Sequence, residues 1–301
     1  MTAVSERTCY PAALAARQAV RLERTAPAAA IGTLLRSDFE QRGFDPGDAR
    51  VLAEAYLRKG APNLSVAGSR RLALPPPVDY LDSPHWLPVA AGPAFPAEDR
   101  AAFGLYPIVA DCGELARLLP LGLGMIQLRA KQRSPAEQAA LARDAIRMAR
   151  PYPTKLYIND AWEAALRHRA HGVHLGQDDL ERADLTALRQ HGLRLGISTH
   201  SAAELARAAR HAPSYIAIGT VFQTRSKRMD YAPLGLDGLQ FLARLCPAPV
   251  VAIGGIHLQQ AAAVYAAGAA GIAVISEMRD CPDPADRAHQ WALALSGGQT
   301  P

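Results

Sequence analysis

The residues best suited to chemistry stand at the ends of short apolar runs. In the stretch QLRAK, Gln127, Arg129 and Lys131 are spaced by two, so in an extended strand their side chains fall on one side. An amide and two cations projecting together suit an anionic ligand, because unpaired Arg and Lys are costly to bury without one. The next two runs end in acid: Ile158-Asn159-Asp160, then Leu175-Gly176-Gln177-Asp178-Asp179. Asp160 and Asp179 could each cap a following helix. Taken with the cations of QLRAK, they make a hard-oxygen site suited to Mg2+, completed by water and substrate phosphate. Further along, Ser198 ends a run, and VFQTRSKRMDYAPLG supplies Thr224, Ser226 and Lys227, a hydroxyl-and-cation set for phosphate oxygens. Gly254-Gly255 and Ile275-Ser276 close the last two runs, where glycine permits close approach of a phosphate to backbone N–H groups.

Three histidines in HRAHGVH, His168, His171 and His174, suggest a metal. His168 and His171 precede the run Gly172-Val173-His174-Leu175, and all three are read as surface or packing residues. His200 lies nearer the strand ends and is a secondary candidate for proton handling.

The elements that must position these residues alternate regularly from Gly104 onward. Strands are expected at 105–110, 124–130, 155–160, 172–176, 193–198, 215–220, 249–254 and 271–276, separated by amphipathic helical patterns. Ser134 reads as the N-cap of SPAEQAALARDAIRMA, and Gly268 ends HLQQAAAVYAAG. Continuous apolar strands alternating with helices indicate a parallel sheet covered by helices, and eight repeats close into a compact (β/α)8 TIM barrel. Its chemistry would sit at the C-terminal face, where all the strand ends above converge. A doubly wound open sheet is disfavoured, because no GxGxxG turn follows the first strand.

Residues 1–103 have a different texture. A stretch rich in Pro, from Ala73 to Arg100, discourages helix and central strand alike and reads as a linker. Before it, DPGDARVLAEAYLRKG predicts a helix with Asp45 as N-cap, Pro46 in the first turn, Val51, Leu52, Ala55 and Leu57 on its apolar face, and Gly60 after its end. The chain is thus read as a mostly helical, Pro-rich extension (1–103) followed by the barrel (104–301).

With 301 residues, 49% of them hydrophobic, the chain can bury one or two ordinary cores. The net charge of +5 is spread among acids rather than gathered in a stripe, which favours small anions over nucleic acid. Cys9, Cys112, Cys246 and Cys281 form no CxxC pair, so neither a zinc site nor a dithiol motif is written here. No membrane span and no signal peptide are read, since Arg17, Arg21 and Glu23 interrupt the N-terminal apolar stretch. A cytoplasmic setting is expected, and a homo-oligomer is compatible with the sequence.

In order along the chain, GLYPIVAD, QLRAK, IND, GVHLGQDD, GIST, the TRSK loop, VAIGGI and AVIS resemble the thiamine-phosphate synthase family. The resemblance runs from about Gly104 to the C-terminus. It implies a transferase that joins hydroxymethylpyrimidine diphosphate to hydroxyethylthiazole phosphate and releases diphosphate by a dissociative, Mg2+-assisted route. Carried over residue by residue, it implies that Gln127, Leu128, Arg129, Ala130, Lys131, Asn159, Ser198 and Lys227 contact the pyrimidine diphosphate. Asp160 and Asp179 would ligate Mg2+; Thr224, Arg225, Ser226, Gly255, Ile275 and Ser276 would take the thiazole phosphate; and Arg129, Lys131 and Lys227 would stabilise the departing charge. The sequence departs from the family pattern at Ser226, where Thr is usual, and its loop is more basic. A thiazole tautomerase-like barrel and a non-catalytic barrel that binds thiamine precursors are the rival readings. The segment PGDARVLAEAYLRKG resembles the last helix of the hydroxymethylpyrimidine phosphate kinase. The region lacks a Gly-rich phosphate loop and the length of a kinase, so no kinase activity is expected.

Overall fold

The computed structural model describes residues 19–20, 28–41, 44, 46–58, 72–73, 92–224 and 232–296. Eight parallel strands close on themselves: β1 (Leu105–Val109), β2 (Met125–Leu128), β3 (Lys155–Asn159), β4 (Gly172–Leu175), β5 (Arg194–Thr199), β6 (Tyr215–Ile218), β7 (Val250–Ile253) and β8 (Gly271–Val274). Consecutive strands are neighbours, and β8 pairs with β1 to complete the barrel. All eight strands expected from the sequence are present, each with its ends within two residues of those expected. Past the end of β2 the ladder continues one bond further, Arg129 N–H to Val109 O at 2.8 Å, so Arg129 is still held by the sheet.

Helices cover the barrel: α3 (Cys112–Leu118), α4 (Pro135–Ala149), α5 (Trp162–His168), α6 (Leu185–Gln190), α7 (Ala202–Ala209), α8 (Gly235–Leu245), α9 (Ala261–Ala266), α10 (Ser276–Arg279) and α11 (Pro284–Ser296). Ser134 caps α4 in a complete capping box with Glu137. The expected single helix over HLQQAAAVYAAG begins instead as a 3-10 turn, Leu258–Gln260, before α9, with Gly268 beyond its end. Among the described residues, no helix is long and apolar enough to cross a membrane.

Strand alternation divides the apolar residues into two cores. One face of each strand packs under the helices, with Ile126, Ile158, Val173, Leu195, Ile197 and Ile216 all buried there. The other face fills the barrel with Tyr106, Met125, Tyr157, Tyr215, Ala217, Val251 and Ala273. Three tyrosines fit inside because glycines on the neighbouring strands make room beside two of them. A Cβ on Gly196 would lie 2.2 Å from Tyr215 Cζ, and one on Gly172 2.5 Å from Tyr157 Cε1.

The segment before β1 closes the N-terminal end of the barrel. Phe95 N–H bonds Ala212 O at 2.9 Å, Ser214 Oγ donates to Pro96 O at 2.6 Å, and the Arg189 guanidinium lies over the Phe95 ring. Glu98 enters the barrel floor with its side chain almost fully enclosed. Its carboxylate accepts from Tyr157 Oη at 2.5 Å and Asp99 N–H at 3.1 Å, and meets His171 Nε2 at 2.7 Å. Burial opposes the charge, but the His171 and Tyr157 bonds outweigh it and hold the Glu98 pKa below its ordinary value.

Two helices of the extension, α1 (Ala28–Gln41) and α2 (Pro46–Arg58), are also present. Phe44 sits between them and the barrel, 5.9 Å from Phe39 and 6.2 Å from Phe241 of α8, centroid to centroid. Asp48 is fully buried, and its Oδ1 accepts from Ala203 N–H at 2.7 Å. That bond satisfies one of the free donors at the start of α7, while Ser201 takes the next, Glu204 N–H. Val51 and Leu52 are buried as their spacing predicts. The Asp45 cap, the side chains of Ala55 and Leu57, Gly60 and most of the Pro-rich stretch lie outside the described residues.

Candidate active site

The strand ends surround a cavity of about 370 Å³ at the C-terminal mouth of the barrel. Gln127, Arg129 and Lys131 all line it, because positions spaced by two along β2 and its continuation share the inner side. Alternation also sends Leu128 outward, where it is buried under the helices. Leu128 and Ala130 are not among the lining residues, so any contact they make to a ligand there is through backbone. Burial lowers the pKa of Arg129, opposed by the nearby Asp160 charge; an enclosed cation of this kind favours an anionic ligand.

Asn159 and Asp160 enter from β3. Asp160 adopts φ 59°, a left-handed conformation that Asp tolerates better than most residues. Its N–H bonds His174 O at 3.0 Å and its carbonyl accepts from Trp162 N–H at 2.7 Å, so a tight turn aims the carboxylate across the mouth. Lys131 Nζ lies 3.1 Å from Asp160 Oδ2, and Asn159 Nδ2 donates to Oδ1 at 2.8 Å. Neither acid caps a helix. The N-cap of α5 is Ala161 with no side-chain bond, and α6 is capped by Asp184 through Ala187 N–H. Both carboxylates therefore project into the cavity. Burial and then the adjacent Asp160 carboxylate raise the pKa of Asp179.

Two acids held against each other in this way are in a donor arrangement that a divalent cation relieves. Among the described residues, no group of three or more His, Cys, Asp or Glu could hold a metal. A pair of carboxylates suits an ion such as Mg2+, which keeps several waters and takes one or two carboxylates with substrate phosphates.

The histidine reading needs correction at one residue. His171 lies at the barrel floor beside Glu98, as its place before β4 suggests. His174, by contrast, is on the inner face of β4, lines the cavity and is buried. Burial pushes its pKa down to about 4, so its imidazole is neutral. Its Nδ1 is 2.7 Å from Tyr215 Oη and its Nε2 2.7 Å from Ser198 Oγ. Strand alternation accounts for it once Gly172 is known to face inward against Tyr157: His174, two residues on, shares that side. His200 also lines the cavity, with Nδ1 2.7 Å from Glu204 Oε2.

Ser198, Thr224 and Ile275 line the cavity too, as do Gln177 and Asp178, which the sequence reading left without a role. Gly254 lines it, but Gly255 does not. Gly255 has φ 63° and packs beneath the long loop after β6, where a Cβ would lie 2.2 Å from Gln223 O. Ser276 opens α10 and is not among the lining residues. Arg225, Ser226 and Lys227 lie outside the described residues, as does most of the expected lid. The base of that loop is closed by Leu234 N–H to Thr220 O and Gly235 N–H to Val221 O, both 2.9 Å.

Comparison with known proteins converges on one group. The family described as thiamine monophosphate synthase matches residues 106–278. A thiamine-phosphate synthase of Klebsiella pneumoniae is 47% identical over 195 residues, covering 64% of this chain and 92% of that protein. One from Escherichia coli O1:K1 is 48% identical over 194 residues, covering 64% and 89%. The solved structure of a thiamine phosphate pyrophosphorylase from Pyrococcus furiosus superposes with a TM-score of 0.58 at 28% identity, covering 67% of this chain and 99% of the other.

Proposed function

The chain belongs to the thiamine monophosphate synthase family and is a transferase of thiamine biosynthesis, and from that premise we propose how its own residues divide the reaction. The substrates are small molecules, hydroxymethylpyrimidine diphosphate and hydroxyethylthiazole phosphate. The bond between the pyrimidine methylene carbon and the diphosphate oxygen breaks with its electron pair leaving on oxygen. The electron-rich aminopyrimidine stabilises the resulting carbocation, and the thiazole nitrogen supplies the pair for the new C–N bond.

Arg129 and Lys131, with Lys227 from the long loop, stabilise negative charge on the departing diphosphate. Asp160 and Asp179 would hold Mg2+, which would supply charge neutralisation for the leaving group without proton transfer. Gln127, Asn159 and Ser198 orient the pyrimidine, while Thr224, Arg225, Ser226 and the 275–276 turn take the thiazole phosphate, with Gly255 supporting the loop. Holding both reactants in one mouth supplies the orientation that a bimolecular reaction in water lacks. No protein nucleophile is needed, and His174, neutral and bonded at both ring nitrogens, is not a free base.

The observation that carries this reading is that two carboxylates, Asp160 and Asp179, line one cavity together with two cations, Arg129 and Lys131. A barrel with only the phosphate-binding end, such as a tautomerase, has no use for that pair. The test is calorimetric titration of Mg2+ into the protein with inorganic diphosphate present. Asp160→Ala and Asp179→Ala are each expected to weaken Mg2+ binding by about 10-fold or more. Wild-type affinity in both variants would refute the metal assignment.

A further inference from the structure

The barrel interior contains a chain of polar groups whose middle members, Tyr106, Tyr215 and His174, have no part in the reaction above. Gln127 Nε2 donates to Tyr106 Oη at 3.2 Å. The Tyr106 and Tyr215 hydroxyls are 2.9 Å apart, Tyr215 Oη is 2.7 Å from His174 Nδ1, and His174 Nε2 is 2.7 Å from Ser198 Oγ. The chain runs from β2 through β1, β6 and β4 to β5, and Gln127, Tyr106, His174 and Ser198 all line the cavity. We propose that Tyr106, Tyr215 and His174 form a hydrogen-bond wire of fixed direction, which holds His174 as its Nε2–H tautomer and makes Ser198 a hydrogen-bond donor to the bound pyrimidine ring. The proposal rests on the reading that this cavity takes the aminopyrimidine.

Counting hydrogens sets the direction. A phenol has one hydrogen to give, and Tyr106 is buried with two hydrogen-bond partners among the described residues, Gln127 and Tyr215. The Gln127 amide hydrogen arrives from one of them, so Tyr106 gives its own hydrogen to Tyr215. Tyr215, accepting there, gives its hydrogen to His174, whose Nδ1 must be the bare nitrogen. The imidazole hydrogen is then on Nε2 and goes to Ser198 Oγ. The Ser198 hydrogen has no acceptor left in the wire and is free for the cavity. The opposite tautomer, or an imidazolium, would send a second hydrogen into Tyr106 and leave Tyr106's own facing only donors, a costly arrangement for a buried hydroxyl.

A second observation points to the same ligand edge. Gln177 Nε2 donates to Ser198 O at 2.7 Å. Asn159 Nδ2 is taken by Asp160 Oδ1 and His174 O. Those bonds fix both amides with their oxygens as remaining acceptors, and Asn159 Oδ1 and Gln177 Oε1 are buried without partners among the described residues. All three residues line the cavity, Ser198 with a hydroxyl hydrogen to give and the two amides with oxygens that lack a donor. An exocyclic amine beside a bare ring nitrogen complements that set: the nitrogen accepts from Ser198 and the amine donates to the amide oxygens. A ring with carbonyl and N–H at the same edge is mismatched.

The test reads the tautomer directly, by NMR of full-length protein labelled with ¹⁵N-histidine, without substrate or Mg2+. The His174 signals are assigned by their loss in His174→Gln. The expected result is the neutral Nε2–H tautomer. The Nδ1–H tautomer would overturn the proposal, because it means that Gln127 presents its oxygen to Tyr106 and the wire runs backwards; an imidazolium at neutral pH would overturn it too. In Tyr215→Phe, which keeps the ring and removes the hydroxyl, kcat/KM for the pyrimidine diphosphate is expected to fall about 10- to 100-fold, with the KM for the thiazole phosphate unchanged. Unchanged kinetics, or equal losses for both substrates, would overturn the positioning role. Should that variant fail to fold, Tyr106→Phe removes the head of the wire and is judged by the same readouts. The tautomer does not depend on the metal assignment, and a wrong tautomer leaves Mg2+ binding by Asp160 and Asp179 untouched, so the two readings fail separately.

Discussion

At Asp179, burial and the neighbouring Asp160 carboxylate push in the same direction, both raising the pKa. An acid whose folded pKa is raised favours its neutral form, so it costs stability as pH rises through its ordinary value of 3.8 towards the higher folded one. Asp179→Asn removes that cost. Thermal melts at pH 7 without Mg2+ are therefore expected to give a Tm equal to or above wild type, while turnover falls by about 100-fold or more. A Tm well below wild type would mean that Asp179 serves the fold instead of a ligand. Sequence spacing was enough to find Gln127, Arg129, Lys131, Asn159 and Asp160, since strand alternation and strand ends are local properties. It was not enough for His174, where three histidines in seven residues looked alike until the inner face of β4 was known. Nor could spacing separate Gly254, which lines the mouth, from Gly255, which supports the loop beneath.

At the scale of elements, the eight strands were legible because each is a short apolar run followed by a helical pattern, and their parallel order follows from the alternation. What the sequence concealed is how the segment before β1 closes the floor. Glu98 lies in a stretch of Pro and Ala with no periodicity, and nothing local indicates that it bonds Tyr157 and His171, residues 59 and 73 positions away. Replacing it by Ala leaves those buried groups without their partner. A loss of about 3 kcal/mol is expected, seen as a Tm lowered by roughly 5–10 °C. Because the Glu98 pKa is held below its ordinary value of 4.5, its contribution is present above that pH and lost as pH falls towards the folded value. The Tm gap between wild type and Glu98→Gln should accordingly be wide at pH 7 and narrow below pH 4. A gap independent of pH would show that the carboxylate charge is not what stabilises the floor.

Across the whole molecule, one end of the barrel is specialised for closure and the other for chemistry. The extension packs on the outside through Phe44 and Asp48, the segment from Phe95 to Ala102 seals the floor, and the strand ends surround a mouth lined by acids, cations and amides. The most direct measurement is turnover: purified full-length protein, both substrates and Mg2+, with thiamine phosphate and diphosphate quantified together, for wild type and for Asp160→Ala. The account predicts equimolar products from wild type and a loss of about 100-fold or more in the variant. Equal rates for the two proteins would contradict it.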